Sequence, residues 1–412
     1  MWLSFCTANK ICLRWRKFPR TISRTILPTA PDLNSPLSTL SCLRAAAGAT
    51  AYLKRYPTAG TLPVPGDSSP PVIRIKNHAT GAFRSALLSL ALLSCPAKAE
   101  PINLKLAFFT SDRAILYNGG VKPFVDAVNA EAKGLLQIEV FFGGALGKAP
   151  AQQPQLVRDG LADIAYIVPG YTAEQFPDNA VIELPGLYRD QREASLVFTR
   201  LIAAKALRGY EDFVVINAIT AEPHSIHTRK PIASLADLKG LKIRANNPTE
   251  AVTFEKLGMQ AIVMPVNQIA EAISSGALDG AAIPPAMLTE FGVGRLASYH
   301  YMIHADAPSL ALVMSRKTFS GLPVQLQNVI RKHSGEWAVA RSNEFFEGIN
   351  TTSMEQLKSD PKRKVIFPSD ADRVLIEAAF KSVTEEWAAK DPRNRELLGM
   401  ARAEIAKLRA GG

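Results

Sequence analysis

The chain has 412 residues, 47% hydrophobic and 21% charged, a globular composition long enough for two domains or one bilobed unit. Its formal net charge of +11 points toward nucleic acid or an anionic membrane, yet that charge is unevenly placed. Residues 1–99 hold thirteen of the 48 Lys/Arg and only two of the 37 acids, Asp32 and Asp67, leaving 35 of each sign in 100–412. The body is neutral, and no nucleic-acid partner is expected.

The leader divides in two. Residues 1–71 are basic, rich in Pro, Ser, Thr and Ala, and carry no helical or strand periodicity. They read either as residues upstream of a true start near Val72 or as an acid-poor organelle transit peptide. Residues 72–99 read as a secretory signal peptide. Arg74, Lys76 and Arg84 form its positive region, and Ala86 to Leu93 an apolar run too short to span a bilayer. Ala97-Lys98-Ala99 supplies the cleavage site, so the mature protein begins at Glu100 and is periplasmic. Leu92-Leu93-Ser94-Cys95 offers the rival reading of a lipid-anchored Cys95. Cys6, Cys12, Cys42 and Cys95 all precede residue 100. The body therefore has no disulfide framework, no thiolate nucleophile and no Cys-based zinc site.

Beyond the leader, Ile102 to Phe109 alternates as a strand, and a loop with Thr110, Ser111, Tyr117 and Asn118 follows. Val121 to Ala132 predicts a helix, Leu135 to Phe142 a strand, Pro154 to Arg158 a helix and Asp163 to Val168 a strand. Lys242 to Ala245 is a strand, and Pro248 suits the first turn of a helix that Gly258 closes. Ala261 to Met264 and Asp279 to Ile283 are strands, with Asn267 placed to cap the helix between them. After a strand at Leu310 to Ser315 the chain is helical almost to its end. Leu326, Val329, Ile330, His333 and Trp337 share one face of a single long helix starting near Pro323. Strands alternating with helices indicate α/β units with a mainly parallel sheet.

Catalytic motifs are missing. Gly143 to Lys148 has the flavour of a phosphate loop, but Phe142 and Ala149 break the pattern. There is no G-x-G-x-x-G after the first strand, no H-E-x-x-H and no G-x-S-x-G elbow. His224/His227 and His300/His304 have metal-ligand spacings without a third ligand, and read as surface or lining histidines. No metal and no cofactor is called for. The sharp candidate is Arg244, at the end of a strand and just before a helix N-terminus. A guanidinium there can clamp a carboxylate beyond the carboxyl ends of the strands, helped by the helix dipole. An exposed strand-edge arginine is the plain alternative.

Several landmarks in order resemble the extracytoplasmic receptors of tripartite ATP-independent periplasmic (TRAP) transporters, dicarboxylate-receptor (DctP) type. They are Ala145 to Lys148, Asp159 to Tyr171, Glu183-Leu184-Pro185, Leu235 to Arg244, Leu257-Gly258, Met264-Pro265 and Ser275 to Gly280. The resemblance implies a periplasmic-binding-protein-like α/β fold. Two α/β lobes are joined by hinge strands and a long helix, and the C-terminus is helical. One lobe comprises 100–222 and 314–350, the other 223–313 and 351–412. The resemblance puts the family's anchoring arginine on Arg244, and implies no enzyme but a receptor that delivers a small organic acid to membrane subunits. A periplasmic enzyme using His224 or Asp279, and the binding subunit of another transporter or sensor, are the alternatives.

The departures bear on the ligand. Members that bind sugar acids often carry a second arginine where this chain has His224, and an asparagine after the Asp-Gly pair, where Ala281 stands. Apolar Ile283 argues against a polyhydroxylated ligand and for a monocarboxylate with an apolar or aromatic body. His224 either meets the ligand's second polar end or is a structural lining residue. Tyr117, Asn118 and Tyr171 either face the cleft or pack as ordinary loop residues. Asn246 and Asn247 contact ligand or cap the next helix, capping being favoured for Asn247 before Pro248.

Overall fold

The computed structural model describes residues 100–411, and the expectations for 1–71, the signal peptide and Cys95 lie outside the described residues. The first part runs β1 (Ile102–Ala107), α1 (Ile115–Gly120), α2 (Lys122–Glu131), β2 (Leu136–Phe141), α3 (Gln153–Arg158), β3 (Ile164–Ile167), α4 (Gln191–Ala203) and β4 (Phe213–Thr220). The middle adds β5 (Ser225–Thr228), β6 (Lys242–Ala245), α5 (Pro248–Lys256), β7 (Gln260–Val263), α6 (Ile269–Ser274), β8 (Gly280–Ile283), β9 (Tyr299–Tyr301) and β10 (Ser309–Ser315). The rest is α7 (Arg316–Gly321), α8 (Val324–Lys332), α9 (Glu336–Ser359), β11 (Lys364–Ile366), α10 (Asp370–Lys390) and α11 (Pro392–Arg409).

These strands build two sheets, one ordered β2-β1-β3-β10-β4 and the other β11-β9-β5-β8-β6-β7. In the first, β1, β2 and β3 are parallel while β10 runs antiparallel to β3 and β4. In the second, β6, β7 and β8 are parallel and β5 runs against β8 and β9. Helices cover both faces of the first sheet, as parallel strands buried on two sides require. On one face Leu104 and Leu106 pack with Val125, Val128 and Ile138; on the other Ala165 and Ile167 pack with Val197, Phe198 and Leu397. A third core lies under the second sheet around Ile243 and Phe254.

The chain passes between the sheets at 221–224 and again at 302–308, and the two crossings hydrogen-bond to each other. Ala221 N donates to Pro308 O at 2.8 Å, His224 N to Asp306 O at 2.9 Å, and Ala305 N to His224 O at 3.0 Å. Because β10 belongs to the first sheet, the return to that sheet comes at Ser309, earlier than the expected residue 314. The C-terminal helices split their contacts: α10 packs on α5 beside the second sheet, whereas α11 packs on α4 beside the first.

Two expectations are corrected. The single helix after Pro323 is two, α8 and α9, because the backbone turns through Gly335 at φ 64°, a conformation a glycine tolerates. The His333 and Trp337 rings still meet, 4.6 Å apart, across that break. Asn267 does not cap α6; it sits inside a 3-10 turn, Val266–Gln268, that leads into the helix.

Candidate functional site

Parallel β7, β6 and β8 end side by side, and Arg244 lies across their carboxyl ends. It is 1% exposed, so its charge must be met by hydrogen bonds. Nε donates to Met264 O at 2.9 Å and Nη1 to Ala282 O at 2.9 Å. Nη2 donates to Asn246 Oδ1 at 2.9 Å and to the Tyr171 hydroxyl at 3.2 Å. Four of the five guanidinium N–H groups are thereby used, leaving one on Nη1. Tyr171 comes from the turn after β3, so this bond ties one sheet's loops to the other's. Its hydroxyl oxygen also accepts Val266 N–H at 3.0 Å. With both lone pairs engaged, the Tyr171 O–H is left to donate. Burial raises the Tyr171 pKa, with Arg244 opposing.

The turn from β6 into α5 explains itself chemically. Asn247 is the N-cap: its Oδ1 accepts Glu250 N–H at 2.8 Å. Glu250 reaches back to accept Asn246 N–H at 2.6 Å, a variant of the reciprocal capping box. Pro248 takes the first helical position. Asn246 is thus fixed beside Arg244, and its Nδ2 is buried without a hydrogen-bond partner.

Arg244, Asn246, Tyr171, His224 and Ile283 border one cavity, walled otherwise mainly by apolar side chains including Phe109, Leu116, Met287, Phe291 and Leu310. Its volume, about 30 Å³, is far below the several hundred of a typical small-molecule site. A ring-sized ligand requires the walls to part. A larger cavity of about 290 Å³ lies between the 169–183 segment, the start of α5 and α10; Arg244 does not border it.

Tyr117 and Asn118 are placed elsewhere. They lie on helix α1 rather than in a loop. The Tyr117 ring packs against Phe142 at 4.8 Å and Phe108 at 5.6 Å, and Asn118 Nδ2 donates to Ala114 O at 2.9 Å. Neither borders the Arg244 cavity.

His224 is 3% exposed and brings two carboxylates the sequence reading missed. Its Nδ1 lies 2.8 Å from Glu250 Oε1 and 3.8 Å from Asp306 Oδ1. Asp306 Oδ2 accepts Asn247 Nδ2–H at 2.8 Å. These three residues offer donor atoms within 4.8 Å of one another, a set that could ligate a cation. Burial is the main cause that holds His224 down at about 3 and lifts Glu250 to about 7 and Asp306 well above its ordinary value. Nearby Glu183, also buried, is raised to about 8, mainly by desolvation; its Oε1 accepts from Ser309 N and Oγ. The N-x-x-E spacing of Asn247 and Glu250 was a readable capping signal. Asp306, in an irregular crossing, had none.

His227 and His300 pair across strands β5 and β9. His227 Nε2 donates to Ile283 O at 2.9 Å, so its Nδ1 accepts from His300 Nδ1, 2.8 Å away. Both rings are then neutral, in keeping with pKa values lowered chiefly by burial, to about 4 and about 3.

Known proteins share this arrangement of two sheets. Residues 107–391 match the family model of bacterial extracellular solute-binding protein, family 7 (DctP). A solute-binding protein of Albidiferax ferrireducens is 25% identical over 69% of this chain and 85% of its own. A TRAP solute-binding protein from Rhodoferax ferrireducens, solved with copurified benzoate, is 26% identical, covers 76% of this chain and 100% of its own, and superposes with a TM-score of 0.69. A marine metagenome TRAP solute-binding protein specific for aromatic acids, solved with metahydroxyphenylacetate, is 26% identical, covers 74% and 99%, and has a TM-score of 0.68. The family model spans more than half of the sequence, and the chain belongs to the DctP family of TRAP extracytoplasmic solute receptors, transport proteins rather than enzymes.

Proposed function

We propose that this receptor closes over a small monocarboxylate with an apolar or aromatic body and holds the carboxylate on Arg244. The observation that carries the reading is a donor-only corner in an apolar cavity. Arg244, Asn246 and Tyr171 all border it, and each keeps a hydrogen, on Nη1, the amide and the hydroxyl, for which the hydrogen bonds of the site supply no acceptor. A carboxylate supplies the lone pairs these groups lack, and charge-assisted bonds to it are stronger than neutral ones. Ile283 and the surrounding aromatic and aliphatic side chains suit a ring or alkyl body. The two relatives solved with benzoate and metahydroxyphenylacetate support that ligand class.

Binding is without chemistry. Ligand contacts to both lobes shift the population toward the closed form, whose hinge is the pair of crossings at 221–224 and 302–308. The closed receptor then presents the acid to the membrane subunits of a TRAP transporter. Delivery takes place in the periplasm after export and cleavage behind Ala99, which N-terminal sequencing of exported protein checks.

The test is isothermal titration of residues 100–412 with benzoate, beside Arg244→Ala. Binding that is lost in a folded Arg244→Ala variant supports the anchor. Equal affinity in the variant moves the anchor elsewhere.

A further inference from the structure

Of the polar side chains that border the Arg244 cavity, Arg244, Asn246 and Tyr171 each keep a hydrogen to donate, whereas His224 differs. Its Nε2 has no hydrogen-bond partner among the described residues, while its ring borders the cavity. Whether Nε2 donates or accepts depends on the tautomer, which the Nδ1 contact decides.

Glu250 uses both oxygens as acceptors: Oε2 takes Asn246 N–H at 2.6 Å, and Oε1 faces His224 Nδ1 at 2.8 Å. Asp306 behaves differently. Its Oδ2 accepts from Asn247, but its Oδ1 is buried with nothing donating to it. An oxygen without a donor in that position is satisfied if it carries a proton itself and donates to the adjoining Glu250 carboxylate. The shared proton of the pair therefore sits on Asp306, and Glu250 keeps the charge. His224 Nδ1–H donates to Glu250, the ring is neutral, and Nε2 keeps an unpaired lone pair on a residue that borders the cavity. The Arg244 charge beside it also opposes protonation of His224. The remaining titratable neighbour, Glu183, is hydrogen-bonded to Ser309, and its repulsion with Asp306 and Glu250 favours the protonated form of all three acids.

Resting on the anchor reading above, we propose that the receptor selects hydroxy monocarboxylates, with the acid group on Arg244 and the hydroxyl donating to His224 Nε2. A second carboxylate in place of the hydroxyl would face a bare lone pair, so dicarboxylates are rejected. A methyl ether has the oxygen but no hydrogen to give, and is rejected likewise.

The probes are benzoate, 3-hydroxybenzoate and 3-methoxybenzoate, then phenylacetate, mandelate and O-methylmandelate, titrated into wild type, Arg244→Ala and His224→Asn. Asparagine keeps an amide near Nδ1 for Glu250 and removes Nε2. In wild type at least one hydroxy acid binds about tenfold or more tighter than both its parent and its ether, as sites built around a ligand hydroxyl do. In His224→Asn that preference, read as the ratio of hydroxy acid to parent within the variant, shrinks to about twofold or less. Parent acids that bind with no hydroxyl preference in either series overturn this proposal and leave the anchor intact, as does a preference that survives His224→Asn. Loss of discrimination between wild type and Arg244→Ala for all six probes overturns the anchor reading, and this one with it. The hydroxyl-against-ether comparison in wild type decides the matter even if His224→Asn fails to fold.

Discussion

Gly170 lies so close to Asn247 that a Cβ built on it would stand 3.0 Å from the Asn247 Cβ and 3.1 Å from Glu183 Oε1. Gly170 belongs to the turn after β3, Asn247 to the cap of α5, so two sheets' worth of structure meet at this point. Gly170 borders the larger cavity, while the residues beside the contact, Tyr171 and Asn246, border the Arg244 cavity.

Gly170→Val should therefore act on closure, through Asn247, in addition to a cost to folding through Glu183. A penalty of about 1.4 kcal/mol on the closed form raises Kd about tenfold. The melting temperature without ligand should fall modestly, because parting the lobes relieves the contact with Asn247 but not the one with Glu183, which is held by Ser309 on the side of Gly170. Titration with the best-binding acid and small-angle scattering of the free and bound variant check this. Unchanged affinity would mean that the bound form does not use the Gly170–Asn247 contact.

The parts of the site that are local in sequence were legible in it. Arg244 ends a strand and Asn247-Pro248 opens a helix, and both assignments need only a dozen residues of context. Tyr117 and Asn118 misled because Asn118-Gly119-Gly120 reads as a turn. The glycines serve another purpose: a Cβ on Gly119 would approach Phe345 Cδ1 to within 2.4 Å, so Gly119 lets α1 lie against α9. Glycine reports a need for space or for an unusual φ, and a sequence does not say which. The Glu250–His224–Asp306 cluster was illegible for a different reason. Its members are 26 and 82 residues from His224, and they meet only because the two crossings pair with each other and with α5.

Phe254 anchors the helix that carries Asn247 and Glu250. It is fully buried in the core under the second sheet. Phe254→Ala should destabilise by about 3–5 kcal/mol, through lost burial and the cavity left behind. Phe254→Leu should cost about 1.5 kcal/mol or less if the core repacks around it. Urea unfolding with unchanged slope distinguishes a loss of packing from a change in the unfolded chain. A small loss for alanine would show that α5 is held by its cap and by α10 instead.

Glu183 makes the stability depend on pH in a direction opposite to that of an ordinary surface carboxylate. Burial raises it to about 8 from an ordinary 4.5, with Ser309 hydrogen bonds opposing. Between those values the folded state binds a proton that the unfolded chain does not, so this contribution is complete below about pH 4.5 and is lost as pH rises through about 8. His224, His227 and His300, all lowered, act the other way: their contribution is complete above about 6.5 and is lost as pH falls toward 3 to 4. Stability should therefore peak between these limits. Glu183→Gln separates the two effects, since its amide oxygen still accepts from Ser309 but carries no charge at any pH. Relative to wild type, the variant should gain stability at pH 8 to 9, and the gain should disappear by about pH 5. Melting temperatures of both proteins across pH 4 to 9 read this directly. A gain of equal size at every pH would mean that Glu183 is not the group that titrates.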